Sequence, residues 1–522
     1  MKKISLLLGT VFVACCLLTS CFDDDSTSGF DENGNLRVGE LTVSGLEETY
    51  TKTAYIQEHL QINPVVEGYS DNELSYHWIL INDQTGKTNA KGDTIQPIDL
   101  GTEKNLDYEV NLAPGDYQVR LYTTVNKTGL VNIAYASLVV QTSFSQGFYV
   151  LKETADGNTE MDQLTASDEI ASNLITKLTG SPMRGKPQSL YPNYGISYID
   201  PSTDEMGTTA ALTLTTESGD FAILRNTDLA TIFNRETILF EEMDANEKVY
   251  ATFQTSMSNV MVTSAGFYAI SSGGAGKYGM PTDESGTSPY LYVDFANYGS
   301  GAMWDAKTKS LNAFDYGMNN YPLTYADMTG EDVTQNLSGY ECLHSGVNYV
   351  GSTTVGVFIL RNTANGERFL YLTKGSFRNQ VLTTRVKLTG HMANASRYST
   401  NGRTASYIYC VDGGKIYACN LSSGDFAEVE LQPQGISSGE TINFVSNQFW
   451  YPANGRFDYL IVGTQSGNNY KLYFYQTTGG APVGAPVKTM EGEGKVSKIR
   501  YMSPSFNSNY SLFYGYCYSI FD

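Results

Sequence analysis

Tight turns of a kind that only hairpins use recur along this chain at a regular interval. Phe358-Ile359-Leu360-Arg361 and Arg368-Phe369-Leu370-Tyr371-Leu372 flank Ala364-Asn365-Gly366. Tyr407 to Val411 and Lys415 to Cys419 flank Asp412-Gly413-Gly414, and Tyr459 to Val462 and Tyr470 to Tyr475 flank Gln465-Ser466-Gly467-Asn468. Asn-Gly and Asp-Gly between apolar runs supply the positive φ angles of two-residue loops, whose twist matches that of the strands they join. The three hairpins begin at residues 358, 407 and 459, a repeat of roughly 50 residues that fits one propeller blade with long loops. Weaker pieces of the same kind lie at Tyr149 to Met161 around Asp156-Gly157, at Gly219 to Arg225, at Gly266 to Ile270 and at Met303 to Leu311. Only Asp168 to Leu178 holds a helical apolar period. Dividing residues 145–522 by the repeat gives a β-propeller of about seven blades, with six and eight as the neighbouring solutions. The run Ser511-Leu512-Phe513-Tyr514-Gly515-Tyr516 is the expected closing strand, which would pair with the first blade and remove its exposed edge. A stack of sandwich modules would need a period near 100.

Upstream, residues 38–144 alternate with period two. Leu106, Tyr108, Val110 and Leu112 share one face, Ala113-Pro114-Gly115-Asp116 turns the chain, and Tyr117, Val119 and Leu121 return. Leu74, Tyr76, Trp78 and Leu80 lie on one face of another strand, which makes Trp78 a core residue and His77 a surface one. Short strands around one central Trp predict a β-sandwich, so the chain as a whole is expected to be all-β.

The N-terminus reads as an address. Lys2 and Lys3 precede an apolar run from Ile4 to Leu18, long enough for a signal peptide and too short to span a membrane. The run ends in Leu18-Thr19-Ser20-Cys21, which resembles the bacterial lipobox, so residues 1–20 are expected to be removed and Cys21 to carry a diacylglycerol anchor. Residues 21–37 open with Phe22-Asp23-Asp24-Asp25 and hold nothing apolar enough to fold, giving an acidic tether that resembles the surface-export signal of Bacteroidetes lipoproteins. No later stretch reaches 18 apolar residues. Of seven cysteines, Cys15 and Cys16 leave with the signal peptide and Cys21 is lipidated; Cys342, Cys410, Cys419 and Cys517 are too few for a disulfide framework. Cys410 and Cys419 could face each other across a hairpin, but buried free thiols are the expectation.

Tyr76-His77-Trp78 and Leu112-Ala113-Pro114-Gly115-Asp116-Tyr117-Gln118-Val119 resemble the PKD-like, immunoglobulin-like domain of Bacteroidetes lipoproteins, with Trp78, Gly115 and Tyr117 as its structural core. Gly147-Phe148-Tyr149-Val150-Leu151-Lys152 resembles the domain junction of PKD-like family lipoproteins. The resemblance implies an outer-membrane lipoprotein facing the cell exterior. It also implies a place beside SusC/SusD-like TonB-dependent transporters, whose accessory lipoproteins capture polymer fragments. The expected function is binding of a glycan or peptide, without catalysis; a propeller hydrolase of glycans and a structural module that docks on the transporter without its own ligand are the alternatives.

Searching the residues for chemistry returns little. With 55 acidic against 34 basic side chains the formal charge is −21, which argues against nucleic acid as a partner. Gly435-Ile436-Ser437-Ser438-Gly439 has the nucleophile-elbow spacing, yet no helix pattern follows and no His lies downstream, so it reads as a loop. His59, His77, His344 and His391 are each isolated, and no zinc spacing exists. Cys342 and His344 alternate on one strand and read as a core thiol beside a surface imidazole. Gly273-Gly274-Ala275-Gly276-Lys277 lacks the Ser or Thr of a P-loop, and Asp31-Glu32-Asn33-Gly34-Asn35 misplaces the glycine of a calcium loop, so no metal or cofactor is expected. Aromatic side chains near turns are the remaining signal, and Trp304, Trp450, Tyr451, Tyr292 and Tyr298 are the expected ligand-binding rings. Anchoring has a direct test: Cys21→Ala is expected to release the protein from washed outer membranes, and retention of the variant there would overturn the lipoprotein assignment.

Overall fold

The computed structural model describes residues 29–522 except 31–35, 38–40, 54–57, 89–91, 111, 113–114, 142, 201–203, 256–257, 272–275, 282–285, 295–297, 316, 326–336, 351–352, 376–379, 451–455, 504–516 and 520–521. The signal peptide, Cys21, most of the tether, Tyr451, the Ser511 to Tyr516 run and the 273–275 glycine loop lie outside the described residues. The chain divides into two compact units, Met1–Thr142 and Ser143–Asp522.

In the first unit the alternation along Leu74–Asn82 sends Leu74, Tyr76, Trp78 and Leu80 inward. This strand sits in a five-stranded sheet, in the order Thr49–Thr53, Val131–Gln141, Gly115–Val125, Leu74–Asn82, Ile98–Gly101. Two shorter pairs, Thr42–Ser44 with Val65–Glu67 and His59–Ile62 with Leu106–Glu109, supply the second layer, and Leu60, Ile62, Trp78, Leu106, Val119, Leu121 and Leu138 fill the space between. The Trp78 indole N–H is satisfied by the Glu103 carbonyl at 3.0 Å, which lets so large a ring be buried without stranding its donor. Gly115 opens its strand, and Tyr117 packs half-buried against the core. The unit is a β-sandwich.

The second unit is a β-propeller whose described residues form seven sheets, here called blades 1 to 7 in chain order. Blade 2 is Pro187–Ile199, Met206–Thr216, Phe221–Arg225 and Thr231–Asn234; blade 3 is Val249–Gln254, Ser258–Thr263 and Gly266–Ser271; blade 4 is Leu291–Asp294, Ser300–Asp305, Ser310–Phe314 and Asn320–Pro322. Blade 5 is Tyr340–Val350, Thr353–Asn362, Arg368–Lys374 and Val381–Lys387; blade 6 is Arg397–Thr400, Tyr407–Asp412, Lys415–Asn420 and Glu428–Leu431; blade 7 is Thr441–Trp450, Phe457–Ser466, Asn469–Thr478 and Lys488–Glu493. The three strongest hairpins of the sequence are the second and third strands of blades 5, 6 and 7, each closing antiparallel on its Gly-containing turn. The helical period shrinks to Leu174–Thr179, because Ile170–Ala171 pairs as a strand instead.

Blade 1 is assembled from both ends of the unit. Gly147–Glu153, Thr159–Thr165 and Ile170–Ala171 come from its start, and Lys495–Met502 adds the innermost strand antiparallel to Gly147–Glu153. The first strands of blades 2 and 3 and of blades 4 to 7 then lie side by side, and those of blades 2 and 7 each meet Lys495–Met502 to complete the ring. Phe267 of blade 3 packs on Phe314 of blade 4 at 5.3 Å between ring centres. Two glycines bracket the closing ladder. A Cβ on Gly147, at φ +146°, would lie 2.4 Å from the Leu164 carbonyl, and one on Gly494, at φ +106°, would lie 2.8 Å from the Glu153 carbonyl.

Gly147–Glu153 has Thr159–Thr165 on one edge and Lys495–Met502 on the other, so the described ladder that joins the two ends of the unit is made by Lys495–Met502, and the expected Ser511 to Tyr516 strand lies outside the described residues. The next described strand, Cys517–Ser519, instead pairs with Leu291–Asp294 of blade 4. Sequence favoured the aromatic run because its apolar content is higher; Lys495–Met502 carries Lys498 and Arg500 and looks like a surface strand.

Closure is reinforced by a buried polar network. Lys152 Nζ meets Asp162 Oδ2 at 2.7 Å, Tyr470 of blade 7 donates its hydroxyl to the same oxygen at 2.7 Å, and the Asn173 backbone N–H donates to Oδ1 at 2.7 Å. Both charged members are buried, so the ion pair persists only because its remaining hydrogen-bonding capacity is met. Deleting residues 495–522 is therefore expected to abolish the single cooperative melt in calorimetry and give aggregates. Deleting 504–522, which removes the Cys517–Ser519 strand and Asp522 but leaves the closing ladder whole, is expected to lower the melting temperature and keep one cooperative transition. Equal melting of the two truncations would overturn this account of closure.

Candidate functional site

The alternation of Lys495–Met502 decides what stands at the ring's axis. Ile499 and Tyr501 turn toward the apolar core shared with blade 7, and Lys498 and Arg500 take the opposite face. Lys498 lines a cavity of about 400 Å³ whose wall is drawn from blades 1, 2, 5 and 6 together with Tyr290, Glu217 and Asp522. Arg397 opens the first strand of blade 6 beside it. Its Nε donates to the Val445 carbonyl at 3.2 Å, its Nη2 to the Ser497 carbonyl at 2.9 Å, and its guanidinium lies 4.0 Å from the centre of the Phe444 ring. Arg368 Nη1 donates to the Ala395 carbonyl at 2.6 Å and to the Tyr398 hydroxyl at 2.8 Å. Arg361, half-exposed and paired with Glu341, stands at the cavity's outer rim.

His344 reaches the same cavity through an irregularity. The blade 5 ladder shifts register between Cys342 and His344, so the two side chains no longer share a face. Cys342 packs between blades 4 and 5, whereas His344, 1 % exposed, places Nε2 2.9 Å from the Thr400 Oγ1 and 3.9 Å from Asp522 Oδ2. The expected surface imidazole is therefore a buried one, since a bulge is invisible to a strict two-residue alternation. The Thr400 backbone N–H donates to Asp522 Oδ2 at 2.5 Å.

The electrostatics follow from crowding cations into a desolvated space. Burial, then the charges of Arg397 and Arg500, hold the Lys498 ammonium well below the ordinary lysine range. Burial brings His344 down to about 4 against the opposing pull of Asp522, and brings Arg397 down to about 10. Such a cavity offers hydrogen-bond donors and positive charge, inside a chain whose net charge is −21.

The aromatic candidates are placed elsewhere. Trp304, 3 % exposed, and Tyr292 lie in blade 4 strands, inside the apolar cluster between blades 4 and 5, where the Tyr292 hydroxyl meets Thr373 Oγ1 at 2.8 Å and Gln380 Oε1 at 3.1 Å. Trp450 ends the first strand of blade 7, buried 5.5 Å from the Tyr501 ring. Tyr298 alone among the described members is exposed, at 54 %, in a loop with φ +65°. The structure does not bring these rings together, and burial removes Trp304, Trp450 and Tyr292 as stacking platforms. Nearness to a turn misled because blade packing buries strand ends as fully as strand centres.

His59 pairs with Asp107, His77 with Asp99 and His391 with Asp412, each apart from the others. Gly435 to Gly439 is loop, between Glu428–Leu431 and Thr441–Trp450. Cys342, Cys410 and Cys419 are buried free thiols. Among the described residues no three His, Cys, Asp or Glu side chains are grouped to hold a metal ion. The cationic cavity escaped sequence reasoning because its members are scattered from His344 to Lys498 over several strands; the one local trace is Lys498 and Arg500 alternating with Ile499 and Tyr501.

Fold and site together define an all-β protein with an N-terminal sandwich and a propeller that carries a cavity at its axis. Residues 21–187 match the model of the PKD-like family. None of the curated proteins matches the chain. Among solved structures, a quinonprotein alcohol dehydrogenase-like protein from Bacteroides thetaiotaomicron VPI-5482 is similar at 14% identity and a TM-score of 0.40, covering 89% of this chain and 100% of that one. The rhamnogalacturonan lyase YesW is similar at 11% identity and a TM-score of 0.22, covering 79% of this chain and 71% of that one. Likenesses this remote say nothing about what this chain binds.

Trp304→Ala is expected to cost about 3–5 kcal/mol of stability, as for other buried aromatic truncations. A thermal melt unchanged from the parent would return Trp304 to the surface.

Proposed function

We propose that this protein is a lipid-anchored, non-catalytic binding protein on the outer face of the outer membrane. It captures a polymer fragment, glycan or peptide, at the axial cavity of its propeller, as an accessory to a SusC/SusD-like TonB-dependent uptake system. The observation that carries the binding reading is the cavity itself. Four blades, the Tyr290 loop and Asp522 converge on it, its volume of about 400 Å³ falls within the range of small-ligand pockets, and the basic side chains of Arg361, Arg368, Arg397 and Lys498 line it. Support for anchoring comes from the lipobox-like Leu18-Thr19-Ser20-Cys21 and the acidic segment after it. The PKD-like match over residues 21–187 supports a sandwich that acts as a spacer between the anchor and the propeller.

A screen of the protein lacking residues 1–36 against glycan and peptide libraries tests the reading. Ligands are expected whose affinity falls about tenfold in Arg361→Ala, a rim substitution that leaves the core untouched. Absence of any ligand, or binding that ignores Arg361→Ala in a normally melting variant, would overturn it and leave the docking module without its own ligand as the better account.

A further inference from the structure

We propose that the axial cavity is a receptor for a carboxylate group, and that a carboxylate-bearing ligand takes the place that the Asp522 side chain now fills. The inference rests on the axial cavity being the binding site, and adds the chemical class of what enters it. Its main support is that a carboxylate is already seated there: Asp522 Oδ2 accepts the Thr400 backbone N–H at 2.5 Å and lies 3.9 Å from His344 Nε2. The built-in anion marks where the cavity holds negative charge and which donors it presents.

Charge count gives the second argument. Lys498, 5 % exposed, with Arg397 half-buried and Arg500 buried beside it, forms a group of three cations close enough to disfavour one another's charge. Arg368 adds a fourth on the wall, its guanidinium oriented by the Ala395 carbonyl and the Tyr398 hydroxyl. Among the described residues, Asp522 and Glu217 are the acidic members of the lining. Buried charge is costly unless neutralised, so an entering anion gains both the cations and the relief of their mutual repulsion. A field spread over the whole surface is not the cause, because the chain carries −21 overall. The third argument is shape: Tyr290, Tyr398 and Leu343 give the cavity apolar flanks, against which the body of a small acid can rest while its carboxylate meets the cations.

The carboxylate can come from a sugar acid or from an acidic amino acid, and isosteric pairs separate these sources. Calorimetric titration of the purified protein with D-galacturonate against D-galactose, and with L-glutamate against L-glutamine, is expected to show binding of at least one acid at least tenfold tighter than its neutral partner. Asp522→Asn, which withdraws the internal competitor, is expected to tighten that acid about tenfold. Lys498→Met, a neutral residue of similar length suited to a buried site, is expected to abolish binding while the melt stays cooperative; should it fail to fold, Arg368→Gln is expected to weaken the acid about tenfold in its place. Neutral and acid partners binding alike, or Asp522→Asn leaving the acid's affinity unchanged or lower, would overturn the carboxylate assignment. If library ligands sensitive to Arg361→Ala were neutral and neither acid bound, this inference would fall and the axial binding site would stand. If nothing bound at all, both would fall.

Discussion

One strand pairing holds the propeller together: Lys495–Met502 against Gly147–Glu153. Every blade buries its faces against two neighbours, so an open ring would expose two sheet faces and an unpaired edge at once. The cost of bringing the two ends of the unit together grows only slowly with the length of chain between them, whereas the apolar surface covered is that of whole blades. Phe148, Val150, Ile499 and the Phe457, Tyr459 and Phe474 rings of blade 7 share one apolar cluster, which places the junction among the best-packed parts of the molecule. The Lys152–Asp162 pair, with the Tyr470 hydroxyl on it, adds a polar register mark that apolar packing alone would not supply.

The same strand builds the cavity. One face of Lys495–Met502 is apolar and closes the ring; the other carries Lys498 into the lining of the cavity, with Arg500 buried near it. Fold closure and site assembly are thus two faces of one element. Arg397 is held to this strand by its bond to the Ser497 carbonyl, and to blade 7 by the Val445 carbonyl and the Phe444 ring. Its position depends on the ring being shut. A cluster of cations that would repel one another in an open chain is tolerated because surrounding blades fix each one by its own hydrogen bonds, and because Asp522 lies among them.

The aromatic residues show how local reading goes astray. Trp304 precedes the Ala306 to Lys309 turn, and Trp450 ends a strand, positions that in a flat sheet would lie at an exposed margin. In a propeller the neighbouring blade covers these margins: Trp304 meets blade 5 residues, and Trp450 meets Tyr501 of the closing strand. Tyr292, near neither margin once folded, spends its hydroxyl on Thr373 and Gln380 of blade 5 and its ring on Phe358. Large rings are what this fold uses to fill the widening gap between twisted sheets.

By itself the sequence determined what depends on neighbours a few residues away. Turn chemistry at Asn365-Gly366, Asp412-Gly413 and Gly467 fixed where hairpins close, their recurrence fixed the blade length, and period-two alternation from Leu74 to Leu80 and from Tyr117 to Leu121 fixed which residues enter the sandwich core. Such signals are legible because a strand's side chains alternate whatever the strand later pairs with. Only the tertiary structure decided which strand shuts the ring, that a shift of register turns His344 into the axis, and that Lys498, Arg397, Arg368, His344 and Asp522 stand round one cavity. Those outcomes belong to contacts between separate strands, from His344 with Thr400 to Gly147 with Met502. They are set by which edge and which face remain uncovered once every other blade has packed, a quantity that no local pattern carries.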